Sequence, residues 1–329
     1  MSFSLTRVIF CSFLILLIDF PSILCQAADY PSKPITLLVG YPPGGGTDLA
    51  ARLVSGYFSK KWGQQILVVN KPGGNVVPCV VEMYKAKPDG YTLMMDTNGA
   101  SSIQTAIMRD LPFKLEDRIF LTNFIINPTF YFCGANKPWK TLKEAADYAK
   151  RDPANFKWAA MDISSTTTLS IIQFLDAIGV DISKTKKMDF KGGPDVMVAG
   201  ANGEVDLANY GIGPALPLIE SGRIHPLALI SPQRIKRLPN LPTVREEGFP
   251  GLTAAQWCGV SGPPKLPKEI VAKWDQEMKK AASDPEFTAS IEKLGMIMYY
   301  LPSDAYKKMV LDEMKIFTDL AQKIGVRPR

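Results

Sequence analysis

Two short stretches of this chain carry residue types that suit anion binding. One is YPPGGGTDLAARL, Tyr41 to Leu53, in which Gly44, Gly45 and Gly46 precede Thr47, Asp48 and an apolar-periodic run. The other is Ser164 to Thr168, an unbroken run of hydroxyl residues (Ser164, Ser165, Thr166, Thr167, Thr168) ahead of a second apolar run. Glycine lets a ligand oxygen come close to the main chain, because no Cβ stands in the way. The first N–H groups of a helix have no partner inside it, and the macrodipole adds positive potential at that end. Such an end favours an anion by about 0.3–1 kcal/mol, rising toward ~2 when partly buried. Thr is a poor helix former and suits a terminus. Capping explains one or two of the hydroxyls, and ligand contact is the use left for the others.

Spacing excludes several chemistries. A P-loop motif is absent, and Gly44-Gly45-Gly46 lacks the G-x-G-x-x-G spacing. The second strand ends at Asn70-Lys71, where a dinucleotide site places an acid for the ribose. A small carboxylate is the better anion, and a tight turn with no ligand is the alternative. Thr47 reads as an N-cap or a ligand hydroxyl. Asp48 reads as a first-turn acid or as part of a ligand shell, the latter only with a water or ligand hydroxyl between the two anions. The lone histidine, His225 in GRIHPLAL, reads as a packing or surface residue. With no G-x-S-x-G, H-E-x-x-H or C-x-x-C, neither a nucleophile nor a metal site is expected. The chain is therefore expected to be no enzyme and to need no cofactor. Glu246-Glu247 falls in an apparent loop.

The elements that must present these loops read as alternating strands and helices. Ile35–Gly40 is a predicted strand, Thr47–Trp62 a helix stopped by Gly63, and Ile66–Val69 a strand. A helix to about Ala86 and a strand at Tyr91–Met95 complete a parallel α/β unit. A second set follows: Thr129–Cys133, Leu142–Arg151, Lys157–Ala160, Thr166–Ile178, Val205–Asn209 and Leu227–Ile230. Pro232 to Pro250 shows little periodicity, and helices at Lys268–Ser283 and Ser303–Ile324 close the chain. Two lobes fit this layout, with crossings near Asn127-Pro128 and between Thr253 and Gly259.

A chain of 329 residues can build such lobes without metal or disulfide support. Its net charge of +6 is scattered. The densest basic cluster, Lys184, Lys186 and Lys187, reads as a solvated loop, so no nucleic acid is expected. Arg7, the apolar run Val8 to Ile18 and Cys25-Gln-Ala-Ala28 follow the order of a secretory signal. Export to the periplasm with cleavage near Ala28 is expected. Leu24 is too bulky for a lipobox, which argues against a lipid anchor on Cys25. Cys79, Cys133 and Cys258 imply no disulfide framework.

Several segments together resemble one family. KPITLLVGYPPGGGTDLAARL, VVNKPGGNVV, KAKPDGYTLMM, FKGGPDVM, GEVDLANY, RIKRLPNLPTVREEGFPG and GPPKLPKEIV occur in order along the mature chain. The chain is similar to the substrate-binding receptors of tripartite tricarboxylate transporters, the Bug or TctC-like family. The resemblance implies a two-lobed periplasmic-binding-protein fold, each lobe a mainly parallel sheet flanked by helices. It implies residues 29–127 plus 253–329 in the first lobe, 128–252 in the second, and 1–28 as signal. It implies a monomer that takes a di- or tricarboxylic or aromatic acid into an interlobe cleft, closes on a hinge, and serves a membrane transporter or a sensor protein. It assigns ligand contact to Tyr41 and Gly44 to Asp48 in the first loop and to Ser164 to Thr168 in the second, with Asn98 and Asn209 as further contacts. Relatives carry a Gly-Ser-rich second loop and a His-Leu pair, where this chain has Ala159 to Ile163 and Thr168-Leu169. Binding through backbone amides predicts an affinity insensitive to pH between about 6 and 8.

Overall fold

The computed structural model describes residues 30–163, 165–323 and 325. The expected signal segment, including Cys11 and Cys25, lies outside them, as does Ser164. The chain begins with β1 (Ile35–Val39), α1 (Gly46–Trp62), β2 (Ile66–Asn70), α2 (Val77–Tyr84), β3 (Thr92–Thr97), α3 (Ser102–Ile107) and β4 (Ile119–Asn127). It continues with β5 (Thr129–Gly134), α4 (Leu142–Arg151), β6 (Lys157–Ala160), α5 (Thr166–Ala177), β7 (Lys186–Asp189) and α6 (Gly193–Asn202). Then come β8 (Ala208–Gly211), α7 (Ile212–Glu220) and β9 (Ile224–Ile230). The irregular segment 231–255 leads back to β10 (Gln256–Gly262), α8 (Lys268–Ala281), α9 (Pro285–Lys293), β11 (Ile297–Pro302) and α10 (Ser303–Lys323).

One lobe is built on a six-stranded sheet in the order β11-β4-β10-β3-β1-β2. The other holds a three-stranded sheet, β8-β5-β9, and the pair β6-β7. A parallel bridge from Trp158 to Leu207 joins β6 to the segment entering β8. The expected α/β two-lobed class is the one observed, but the sheets are mixed, not mainly parallel. β1 pairs in parallel with β2 and β3, while β10 runs antiparallel to both β3 and β4, and β11 antiparallel to β4. The cause is the double crossing. β4 leaves the first lobe and β10 returns to it, so neighbours at the crossing must run in opposite directions. In the second lobe β5 carries the chain away from the crossing, and β8 and β9 return antiparallel to it. The carboxyl ends of β1, β3, β6 and β8 therefore all face the same interlobe space, where open α/β sheets place their ligands.

Local chemistry fixes several elements. α1 ends at Gly63 with φ 66°, a left-handed cap that costs glycine little. α4 starts with a capping box in which Thr141 and Glu144 satisfy each other's backbone N–H groups. The first core gathers Val39, Val54, Phe58, Leu93, Val260 and Trp274. Phe58 stacks on Trp62 at 4.8 Å and meets the edge of Trp274 at 5.7 Å; burying side chains of this size is worth about 2–3 kcal/mol each. The second core contains Tyr131, Trp158, Leu169, Ile172 and Phe174, and it also takes in Ile103 of α3 and Phe317 and Leu320 of α10. α10 thus packs on both lobes. Its Lys323 pairs with Asp176 of α5. No described helix is long and apolar enough to cross a membrane.

Candidate functional site: the interlobe cleft

The loop after β1 presents an uncapped helix end. Gly45 is the N-cap of α1, with φ −76°, and no side chain caps it. Gly44 holds the positive φ, 82°, so the residue that needs to be glycine for backbone conformation is Gly44 and not Gly45. A Cβ on Gly45 would meet only the Pro42 carbonyl, at 3.6 Å, whereas one on Gly46 would stand 2.7 Å from Asn127 Nδ2. Thr47 is buried rather than capping, and its hydroxyl lies against the Cys258 thiol. Tyr41 OH bonds Thr97 Oγ1 at 2.9 Å, tying the loop to the end of β3. Burial pushes the Tyr41 phenol well above its ordinary value, so it stays neutral.

Asp48 organises this loop from beneath. Its Oδ2 accepts from Gly44 N and Arg52 Nε, both at 2.9 Å, and its Oδ1 from Asn70 Nδ2 at 2.9 Å. The residue is 2% exposed. Burial alone would raise its carboxyl, but the bonds from Arg52, Gly44 and Asn70 hold it below the ordinary value. Asn70 Nδ2 also donates to the Tyr41 carbonyl at 3.0 Å. The Asn70 carboxamide at the end of β2 is thus spent on shaping the loop after β1, while Lys71 beside it pairs with Glu82.

The hydroxyl run opposite divides its labour by alternation. Thr168 Oγ1 accepts from Met161 N at 2.8 Å and closes the β6–α5 loop. Thr166 Oγ1 donates to Asn98 Oδ1 at 3.1 Å. Ser165 and Thr167 are half-buried and bond each other through their hydroxyls at 2.6 Å. Ser170, one turn on, donates to the Thr166 carbonyl at 2.9 Å. The N-cap of α5, Ser165, makes no side-chain cap bond.

Asn98 connects the two loops. It is fully buried at the end of β3. Its Nδ2 donates to the Ala255 carbonyl at 3.0 Å, and its Oδ1 accepts from Gly99 N at 3.1 Å as well as from Thr166. One carboxamide therefore holds the first lobe, the returning crossing and the start of α5. Under it lies a buried ion pair. Arg118 Nη2 bonds Asp96 Oδ2 at 2.8 Å and Ser261 Oγ at 2.9 Å, while Nη1 reaches Ser101 Oγ at 2.8 Å.

Asn209 lies on β8 opposite Tyr131, on the face covered by α5, since Tyr131 OH donates to the Ser170 carbonyl at 2.7 Å. Asn209 is buried, its Nδ2 is 3.5 Å from Thr129 Oγ1, and its Oδ1 has no partner. Two residues not anticipated as site residues stand at the crossing. Asn127 Nδ2 donates to Gln256 Oε1 at 2.7 Å, between Gly46 and Gly211. Asn127 was legible only as a crossing point. Its amide matters because the crossing lies directly under the start of α1.

Other candidate chemistry lies elsewhere. A cavity of about 500 Å³ opens at the amino end of β9, away from the cleft, and is lined by Lys140, His225, Arg237 and Glu247 among others. Two of its polar groups have protein partners: His225 Nε2 bonds the Lys140 carbonyl at 3.0 Å, and Arg237 pairs with Glu220, outside the lining, at 2.7 Å. Glu246, from the Glu246-Glu247 pair, is held by Arg234 and by Thr243. Cys79, Cys133 and Cys258 are buried free thiols. Among the described residues no cluster of histidine, cysteine and carboxylate could hold a metal.

The family model described as "Tripartite tricarboxylate transporter family receptor" matches residues 50–326. The chain belongs to this TctC receptor family. A protein from the gbd 5′ region of Cupriavidus necator is 31% identical over 310 residues, covering 92% of this chain and 90% of that one. BugT of Bordetella pertussis is 24% identical over 92% of this chain and 92% of its own length. Among solved structures, an R. palustris protein with adipate superposes with a TM-score of 0.78 at 25% identity, over 92% of this chain and all of the other. MatC from Rhodopseudomonas palustris, with bound malate, shares the fold at a TM-score of 0.73 and 24% identity, over 88% of this chain and 99% of its own. This family consists of solute-binding receptors rather than enzymes.

Proposed function

We propose that this chain is an exported receptor that captures a small di- or tricarboxylate or aromatic acid between its lobes and delivers it to the membrane subunits of a tripartite tricarboxylate transporter. The observation that carries the reading is the facing of two uncapped helix ends, α1 and α5, joined through Asn98. One ligand carboxylate meets the amides after Gly45, and the second lobe's amides and the hydroxyls of Ser165 and Thr167 meet the rest. Asn209 offers an acceptor to a ligand hydroxyl or an ordered water. Asp48 shapes the loop and stays out of contact. Residues 29–127 with 253–329 move as one body and 128–252 as the other. Relatives solved with adipate and malate support the carboxylate class.

A thermal-shift and calorimetric screen of the mature protein against mono-, di- and tricarboxylates tests this. A ligand at a hundred times its Kd stabilises by about 2.7 kcal/mol, a shift of several degrees. No shift with any carboxylate at millimolar concentration removes the reading. Delivery is tested by uptake of the labelled acid in cells with and without the chain, and unchanged uptake removes the transport role.

A further inference from the structure

The cavity at the amino end of β9 is preformed by main-chain bonds. The segment that follows β9 rejoins its edge at Leu229, where Leu229 N donates to the Pro242 carbonyl and Val244 N to the Leu229 carbonyl, both at 2.8 Å. Toward His225 the two chains part. The stretch before Pro242 is held by its own turns, from Leu238 N to the Ile235 carbonyl and from Leu241 N to the Leu238 carbonyl, both at 3.1 Å. Arg234 ties that stretch to its neighbour, donating to the Pro239 carbonyl and to Glu246, each at 3.0 Å. A further wall is the start of α4, fixed by the Thr141–Glu144 capping box. The enclosed volume of about 500 Å³ suits a small molecule, whose sites run to roughly 300–1,000 Å³.

The lining sorts into an apolar floor and a charged rim. Leu227 and Leu241 are buried and, with three prolines, supply the apolar surface. Lys140 and Arg237 are exposed, and Glu247 is half-buried. Arg237 is committed to Glu220. The Lys140 ammonium reaches only carbonyl oxygens, of Lys137 at 3.3 Å and Ala135 at 3.4 Å. Among the described residues no carboxylate pairs with Lys140 and no cation pairs with Glu247, although both line the one cavity. His225 Nε2 donates to the Lys140 carbonyl, which can only accept, so in the neutral ring Nδ1 is left as an acceptor.

We propose that this cavity is a second binding site, for a small zwitterion with an apolar body, the class of an α-amino acid with an aliphatic or aromatic side chain. Lys140 takes the carboxylate, Glu247 takes the ammonium, and the leucines and prolines cover the side chain. A plain carboxylate, the class assigned to the cleft, would set an anion against Glu247. A plain amine would leave Lys140 without a partner. Both charges stand at the rim, so each contributes what an exposed ion pair does, a factor of about two to five in affinity. The whole lining belongs to the second lobe, between Lys140 and Glu247, and the proposal holds or falls whatever the cleft binds.

The chain has one histidine, so the His225 imidazole is a single reporter in the cavity wall. It is followed by NMR in the mature protein at about pH 8, above the ordinary imidazole value, so that its own titration does not interfere. The probes are L-phenylalanine, hydrocinnamate, which lacks the amino group, and phenethylamine, which lacks the carboxylate. Expected is a saturable shift with L-phenylalanine at a Kd on the order of 1 mM, ordinary for so small a molecule at an open site. Each single-charge analogue should bind about threefold more weakly or worse. Glu247→Gln should bring L-phenylalanine down to the affinity of hydrocinnamate, and Lys140→Met to that of phenethylamine. Neither side chain belongs to a core, and circular dichroism checks that both variants are folded. A His225 signal that stays fixed or drifts without saturating overturns the proposal. So does one Kd shared by the three compounds, or folded variants that bind L-phenylalanine as wild type does.

Discussion

The two helix ends that face each other across the cleft are built on different principles. At α1 the backbone is shaped by one buried carboxylate, Asp48, whose three bonds pin Gly44, Arg52 and Asn70. At α5 there is no such hub. Hydroxyls alternate between inward work, at Thr166 and Thr168, and a half-buried pair, Ser165 with Thr167. The first end is a cooperative assembly, so losing its centre should cost far more than any one bond. The second is distributed, so single losses should be mild and local. A motif that looks acidic in one lobe is scaffolding, while a motif that looks merely polar in the other holds the interlobe contact.

Asp48→Ala is the sharpest way to break this contrast. It strands three donors, and a loss of about 2–4 kcal/mol in chemical denaturation is expected, with carboxylate binding down at least a hundredfold. Its folded carboxyl is held below the ordinary value, so the stability it adds is present above about pH 4 and fades as pH falls through the lower folded value. The stability gap between wild type and Asp48→Ala should therefore narrow toward pH 3; a constant gap would mean the charge is irrelevant.

The glycines provide the next test. Gly46→Ala drives a methyl into Asn127, whose amide is held by Gln256, and calorimetry should show binding weakened at least tenfold in a folded protein. Gly45→Val places its Cβ at ordinary contact distance from the Pro42 carbonyl and should keep stability within about 0.5 kcal/mol while losing carboxylate binding. Tight binding by folded Gly45→Val would leave that loop a turn with no ligand. Across the cleft, Thr166→Val removes one bond to Asn98 and should cost about 1 kcal/mol, near fivefold in affinity. Ser165→Ala should be smallest, within about threefold in Kd. A Ser165 effect larger than that of Thr166 would reverse the division of labour between the two hydroxyl positions.

Much of the scaffold was readable in advance. β1, α1, β2 and α4 declare themselves through apolar period and end signals, and their observed bounds differ by a residue or so. β4, β7, β10 and β11 escaped detection; β7 takes in Lys186 and Lys187, read as a loop, because its four residues are all exposed and polar or charged but for Met188. β4 is buried along its length and shows no alternation, and β10, QWCGVSG, is small and glycine-rich. α3 is too short for a period, and α6 opens with Gly-Pro. The missed strands β4, β10 and β11 supply the antiparallel pairings of the first sheet, while in the second β5, β8 and β9 were found and only their directions were not. At the site, the two loops were found, but the roles within them were not. Which of Gly44 and Gly45 takes positive φ, or whether Thr47 caps, depends on partners such as Asn70 and Cys258 far along the chain. The bond from Ser102 to Glu313 spans 211 positions, and no local pattern marks it.

The adjacency of the two crossing strands has a mechanical consequence. β4 and β10 are paired in the first sheet as far as Asn127 opposite Gln256, the last residue before one crossing and the first after the other. Two links side by side act as a strap hinge rather than a ball joint. Bending the pair is soft, whereas torsion about its length would shear the hydrogen bond between the Asn127 and Gln256 side chains. The second body is thereby left with one easy angle of travel. In the closure proposed above, α10, packed on both lobes, would be the doorstop, and Asn98 would meet Thr166 in one registration.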